Sequence, residues 1–84
     1  MMNLSQNSII SVRYAFRHGQ SEQNRHALLK LAEQLQQYHG FLHYRIVGLD
    51  DRRGEPILLT FWLSAAHYRK AARLMRQEAE QNIA

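Results

Sequence analysis

Tyr14, Tyr44, Trp62 and Tyr68 are aromatic side chains that carry a hydrogen-bonding tip, and His67 places an imidazole one position before the last of them. Rings with polar tips can hold a flat organic molecule, the faces packing on it and the tips orienting it. A neutral imidazole beside such a pocket can take a proton, because its ordinary pKa of ~6.5 suits a general base. Read as a site, Trp62 and Tyr44 line the pocket, Tyr14 and Tyr68 extend it, and His67 is the base with Trp62 beside it. The plainer use of the same rings is a core aromatic pair, worth ~0.5–1.5 kcal/mol beyond the area it buries. For His67 the plainer reading is a half-packed surface histidine.

Arg13, His43 and Arg45 form a second set. They suit an anionic ligand, or an interface in which acidic residues of a partner offset them, since buried charge needs compensation. The five histidines do not make a metal site. His39 and His43 are four apart, but Gly40 breaks the helix that this spacing needs, and no carboxylate completes a set around His18 and His26. Arg69, Lys70, Arg73 and Arg76 spread over several sides of one helix, which fits a solvated surface better than a nucleic-acid footprint. No nucleic-acid partner is expected.

These side chains need elements to position them. Ser8 to Phe16 is β-branched and aromatic and reads as a strand. A turn at Arg17 to Gln20 follows, and Ser21 can cap a helix. Leu28, Leu31, Leu35 and Tyr38, with Ala32, make that helix's apolar stripe, and Gly40 stands where a left-handed residue is needed. Phe41 to Leu49 and Ile57 to Leu63 read as a hairpin about the polar turn Asp50 to Glu55. A register centred on that turn sets Tyr44 opposite Trp62 and Arg45 opposite Phe61. Ser64 can cap a second helix over Ala65 to Ala79. Gln81 to Ala84 are too few for another substantial strand, so the order is β-α-β-β-α in one α+β domain over 1–84.

Strand alternation then assigns faces. Ile10, Val12, Tyr14, Phe16, Leu42, Tyr44, Ile46, Leu58 and Trp62 share one face. Ile9, Ser11, Arg13, Phe41, His43, Arg45, Val47, Leu59, Phe61 and Leu63 share the other. Both are largely apolar, and two helices cover only one. A second copy of the chain is the simplest cover for the other, so a homodimer is expected. Size points the same way: 84 residues bury only ~60% of their unfolded surface. There is no cysteine to staple the fold or supply thiol chemistry. Eleven Lys and Arg against seven acids give a net charge of +4 without a single-sign run. No leader and no membrane span is expected, which with the absent cysteine fits the cytoplasm.

The local wording resembles the antibiotic-biosynthesis-monooxygenase family of the dimeric α/β-barrel superfamily, over roughly Ile9 to Gln81. The matching parts are Phe61-Trp62-Leu63-Ser64 running into a helix anchored at His67 and Tyr68, and the strand entry Gly40-Phe41-Leu42-His43-Tyr44-Arg45. The resemblance implies a ferredoxin-like fold with two helices on one face of an antiparallel sheet, and sheets of two subunits closing a barrel. It implies a monooxygenase acting on an aromatic or quinol-like small molecule without metal or flavin. Haem-degrading relatives carry a Trp in the second helix and a His beyond it; Ala71 and Gln81 stand at those places, so no haem is expected. Members also end with a fourth strand, and the final strand is expected to be missing here. The alternative is a non-catalytic dimeric module on the same fold, binding a small molecule or a partner.

Overall fold

A computed structural model describes residues 8–16, 21–48 and 56–83. The elements run β1 (Ile10–Tyr14), α1 (Ser21–Leu35), β2 (Phe41–Val47), β3 (Ile57–Trp62) and α2 (Ala65–Ile83). The expected order is therefore present. The α2 helix is longer than expected, because Glu80 to Ile83 continue it rather than forming a tail. The turns expected at 17–20 and 50–55, the capping side chain of Ser21, and Leu49 and His18 lie outside the described residues.

The strands form one sheet in the order β1-β3-β2. Both outer strands pair antiparallel with β3, so β1 and β2 run the same way with α1 as the crossover between them. This split β-α-β arrangement is compatible with a ferredoxin-like fold. Leu28, Ala32 and Leu35 of α1 and Ala71 of α2 join Leu58 and Trp62 of β3 in one buried cluster, which places both helices on the same side of the sheet. Among the described residues, no helix is long and apolar enough to cross a membrane.

The hairpin register differs from the expected one. Tyr44 lies opposite Thr60 rather than Trp62, and Arg45 opposite Leu59 rather than Phe61. The ladder then slips between Phe41 and His43, leaving Phe41 opposite Trp62. A bulge adds one residue to one strand and re-aims the side chains beyond it. Phe41 accordingly turns inward and meets Trp62 edge to face, with ring centroids 5.2 Å apart. Leu42, expected inside, is exposed, and so is Phe16, which lies past the end of β1. Phe41 takes the place beside Trp62 that the centred register gave to Tyr44.

The α1 stripe obeys helical spacing: Leu28, Ala32 and Leu35 are buried and Leu31 is half-buried. After Leu35 the helix tightens into three-residue steps, Gln37 N to Gln34 O at 3.2 Å and Tyr38 N to Leu35 O at 3.1 Å. Gly40 then adopts φ +96°, a left-handed conformation that a side chain disfavours, and leads directly into β2.

Two polar side chains are buried at the centre of β3. Trp62 Nε1 donates to Thr60 Oγ1 at 2.9 Å, and Thr60 Oγ1 donates to the Val12 carbonyl at 3.1 Å. Residues two apart on a strand share a face, so the threonine is correctly placed to serve the indole. Thr60→Val keeps the shape but leaves the indole N–H without its acceptor. It is expected to destabilise the domain by about 1–3 kcal/mol in urea unfolding. Adding Trp62→Phe should make the valine substitution much less costly than it is alone. Equal cost in both backgrounds would show that this bond is not what Thr60 supplies.

Candidate functional site

Trp62 anchors the place where the sequence puts a pocket, but it is fully buried. Phe41 packs one side, and Tyr68 of α2 meets it edge to face with centroids 5.5 Å apart. Its only polar atom is already bonded to Thr60. Among the described residues no buried side-chain polar atom lacks a partner. The tip of Trp62 is therefore not offered to a ligand, and the space beside it is filled by protein.

The tyrosines divide. The hydroxyl of Tyr14 donates to that of Tyr68 across 3.4 Å, a long contact between β1 and α2. Burial, followed by the bond to Tyr68, pushes the Tyr14 phenol well above the ordinary tyrosine range. Tyr14 is thus a neutral donor at physiological pH and not a base. Tyr44 sits on β2 on the other side of β3, opposite Thr60, and does not join this pair.

His67 occupies the third position of α2. Its backbone N–H donates to Ser64 Oγ at 3.2 Å, so Ser64 caps the helix as its position predicts. The ring turns back on the same hydroxyl, with Nδ1 2.7 Å from Oγ. A serine hydroxyl against an imidazole has the spacing of a nucleophile and its base. Here Ser64 is buried and its oxygen is engaged by the helix end. If the hydroxyl donates to Nδ1, the proton sits on Nε2 and the ring has no free base. Only the tautomer with Nδ1–H donating to Ser64 leaves Nε2 available for base chemistry.

The spacing-based pairing of His39 with His43 is not the one that forms. His39 approaches His67 instead, with ring centroids 5.1 Å apart, while His43 stacks over Phe61 at 6.1 Å. Among the described residues no three potential ligands gather as a metal site. His67 also rests on Gly40: a Cβ built there falls on the Cβ, Cγ and Cδ2 of His67. The Gly40 carbonyl meanwhile accepts the Leu63 N–H at 2.8 Å. These contacts join the entry of β2 to the start of α2.

Arg13 and Arg45 lie opposite Leu59 from its two sides, and Ser11 and His43 flank Phe61 in the same way. The open face is thus a central apolar row between cationic strands. Arg13, His43 and Arg45 are exposed, and none has an ion-pair partner among the described residues. Two other hollows were not anticipated. One of about 250 Å³ lies where Tyr38 bonds Glu78 across the ends of the helices at 3.2 Å. The other lies along β2, where Arg25 and Leu29 of α1 face it. Arg25 lies outside the apolar stripe of α1, and nothing in the helical periodicity points to a groove.

No family model, curated protein or solved structure matches this chain.

Gly40→Ala combines a disfavoured φ with a collision against His67, and is expected to lower stability by about 1–3 kcal/mol by urea unfolding. His67→Gly in the same chain should recover part of that loss, since it removes the Cβ and the ring that the new side chain meets and leaves the φ penalty, whereas His67→Ala keeps the Cβ and should recover less. An unchanged unfolding midpoint in Gly40→Ala would remove this junction from the account of the fold.

Proposed function

We propose that this chain is a non-catalytic interaction module of the ferredoxin-like type that works as a homodimer through its open sheet face. The observation that carries this reading is the row Ile57, Leu59 and Phe61 on the central strand, which the helices leave uncovered. Ile9 and Leu63 extend the apolar surface at one end, 63% and 41% exposed. An apolar surface of this kind costs free energy in water and gains it on pairing. Two twisted sheets packed face to face align within about 30° of each other, which brings the β3 rows together at the centre. Arg13, His43 and Arg45, on the outer strands, then fall at the rim, where long cationic side chains keep their heads in water. The filled space around Trp62 supports a binding or assembly role over chemistry. A cysteine-free composition is compatible with the reducing cytoplasm.

Sedimentation equilibrium at micromolar concentration tests this, with twice the monomer mass expected. Phe61→Asp places a carboxylate in the centre of the row and should weaken the dimer at least ~100-fold, or about 2.8 kcal/mol. Its far-UV circular dichroism should be unchanged. A monomeric parent chain, or a Phe61→Asp variant that dimerises as well as the parent, overturns the proposal.

The Tyr14–Tyr68 hydroxyl pair beside Trp62 supports a second reading, a cofactor-independent monooxygenase of aromatic or quinol-like molecules. Under it, a substrate hydroxyl engages the half-buried phenols and His67, in its Nδ1–H form, takes the proton. Oxygen uptake with a panel of quinols and anthrones is the measurement, with loss of turnover in His67→Ala and Tyr68→Phe. Absence of uptake across the panel removes this reading and leaves the module.

A further inference from the structure

The β2 strand bonds to β3 on one side only, because β3 is the central strand. Along Phe41–Val47, the backbone N–H and C=O groups directed away from β3 meet no other strand among the described residues and form an edge. Such an edge is a template for another strand. A groove of about 490 Å³ lies beside it, lined by Arg25 and Leu29 of α1 and by His43, Tyr44, Arg45 and Ile46 of β2. The four β2 residues are consecutive, and consecutive strand residues point to opposite faces. A groove that touches all four runs along the strand's edge and not over either face.

The lining is chemically uneven. Leu29, Tyr44 and Ile46 are half-buried and give it an apolar side. Arg25, His43 and Arg45 are exposed cationic or titratable groups, no acid lines the groove, and neither arginine is ion-paired among the described residues. Three occupants answer to these features unequally. An antiparallel β2 edge of a second copy, centred on Tyr44, would set Arg45 opposite the other copy's His43, so each arginine meets a basic neighbour and no acid, and pairs of this kind gain nothing from charge. A small anion would meet the arginines but leave the edge groups and the apolar side unused. An extended acidic segment meets all three: its backbone continues the ladder, one set of side chains rests on the apolar side, and the alternate set carries carboxylates that reach Arg45 on the open face in charge-assisted hydrogen bonds, with Arg25 adding positive charge from the helix side.

We infer that the free edge of β2 is a docking site for an extended peptide segment with acidic residues at alternate positions. The site goes beyond the face-to-face dimer and does not depend on it, since the groove opens along the edge of the sheet.

The probe is a peptide of alternating glutamate and valine, matched to the 7 residues of β2 and titrated into the isotope-labelled full chain. Saturable amide shifts are expected over Phe41–Val47, with hydrogen exchange slowed roughly tenfold or more at the β2 amides not bonded to β3. The glutamine counterpart, and the parent peptide against an Arg25→Gln/Arg45→Gln chain, should each bind roughly tenfold more weakly. Both arginines are exposed, and the variant's circular dichroism reports whether the fold is kept. Acetate serves as the small-anion control. If acetate reproduces the shifts and no exchange slowing accompanies the peptide, the groove is a small-anion site and the inference fails. Equal binding of the glutamine peptide, equal binding by the arginine variant, or no saturable shift with the glutamate peptide also overturns it.

Discussion

The indole of Trp62 is the point on which this domain turns. It is the largest fully buried side chain, and it carries one polar atom that burial would penalise if left alone. Thr60 resolves this by accepting from the indole and donating its own O–H to the Val12 carbonyl. The chain of two bonds ties the middle strand to β1 and fixes which face of β3 looks inward. Register follows from that choice. With Leu58, Thr60 and Trp62 inward, Ile57, Leu59 and Phe61 have to look outward, because a strand's side chains alternate. The open face is thus a consequence of the core and not a separate feature.

The same burial constrains the chemistry. An aromatic pocket and an aromatic core draw on the same residue types, and the two are told apart by whether a ring's polar tip is satisfied within the protein. Trp62 and Tyr14 both have internal partners, and His67 holds the capping serine with ring and backbone together. Gly40 sharpens this: its lack of a side chain lets the imidazole lie against the entry of β2. The group with most resemblance to a catalytic pair is thus a junction between β2 and α2. Packing accounts for its geometry without a substrate.

Much of the architecture is legible in the sequence. Apolar residues at helical spacing marked α1, β-branched runs marked the strands, and Ser64 marked the start of α2. The hairpin register was not legible, for a physical reason. Periodicity fixes which residues alternate but not where a strand absorbs an extra residue, and the slip between Phe41 and His43 exchanges the places of Phe41 and Leu42. The pairing of Tyr44 with Trp62 fails for a separate reason: the ladder is already off the centred register at Val47 and Ile57, on the turn side of the slip. The site was less legible than the fold. His39 meets His67 through the bend at Gly40, and Arg25 meets β2 through the crossover, so neither contact has a sequence spacing that announces it. What the residue types did convey was the cationic character of the sheet's outer strands.

That character governs how the sheet can associate. The three strands contain Arg13, His43 and Arg45 and no acidic residue, while the described acids Glu22, Glu33, Glu78 and Glu80 all belong to the helices. Contact between two copies through their β2 edges would bring like charges together along a narrow line, with no acid of either sheet to offset them. Contact through the open faces separates those charges to the rim and lets the apolar β3 rows meet. Charge therefore disfavours self-pairing at the open edge without opposing the proposed pairing through the open face. The same cations that discourage a second copy at the edge remain available to a partner of opposite sign.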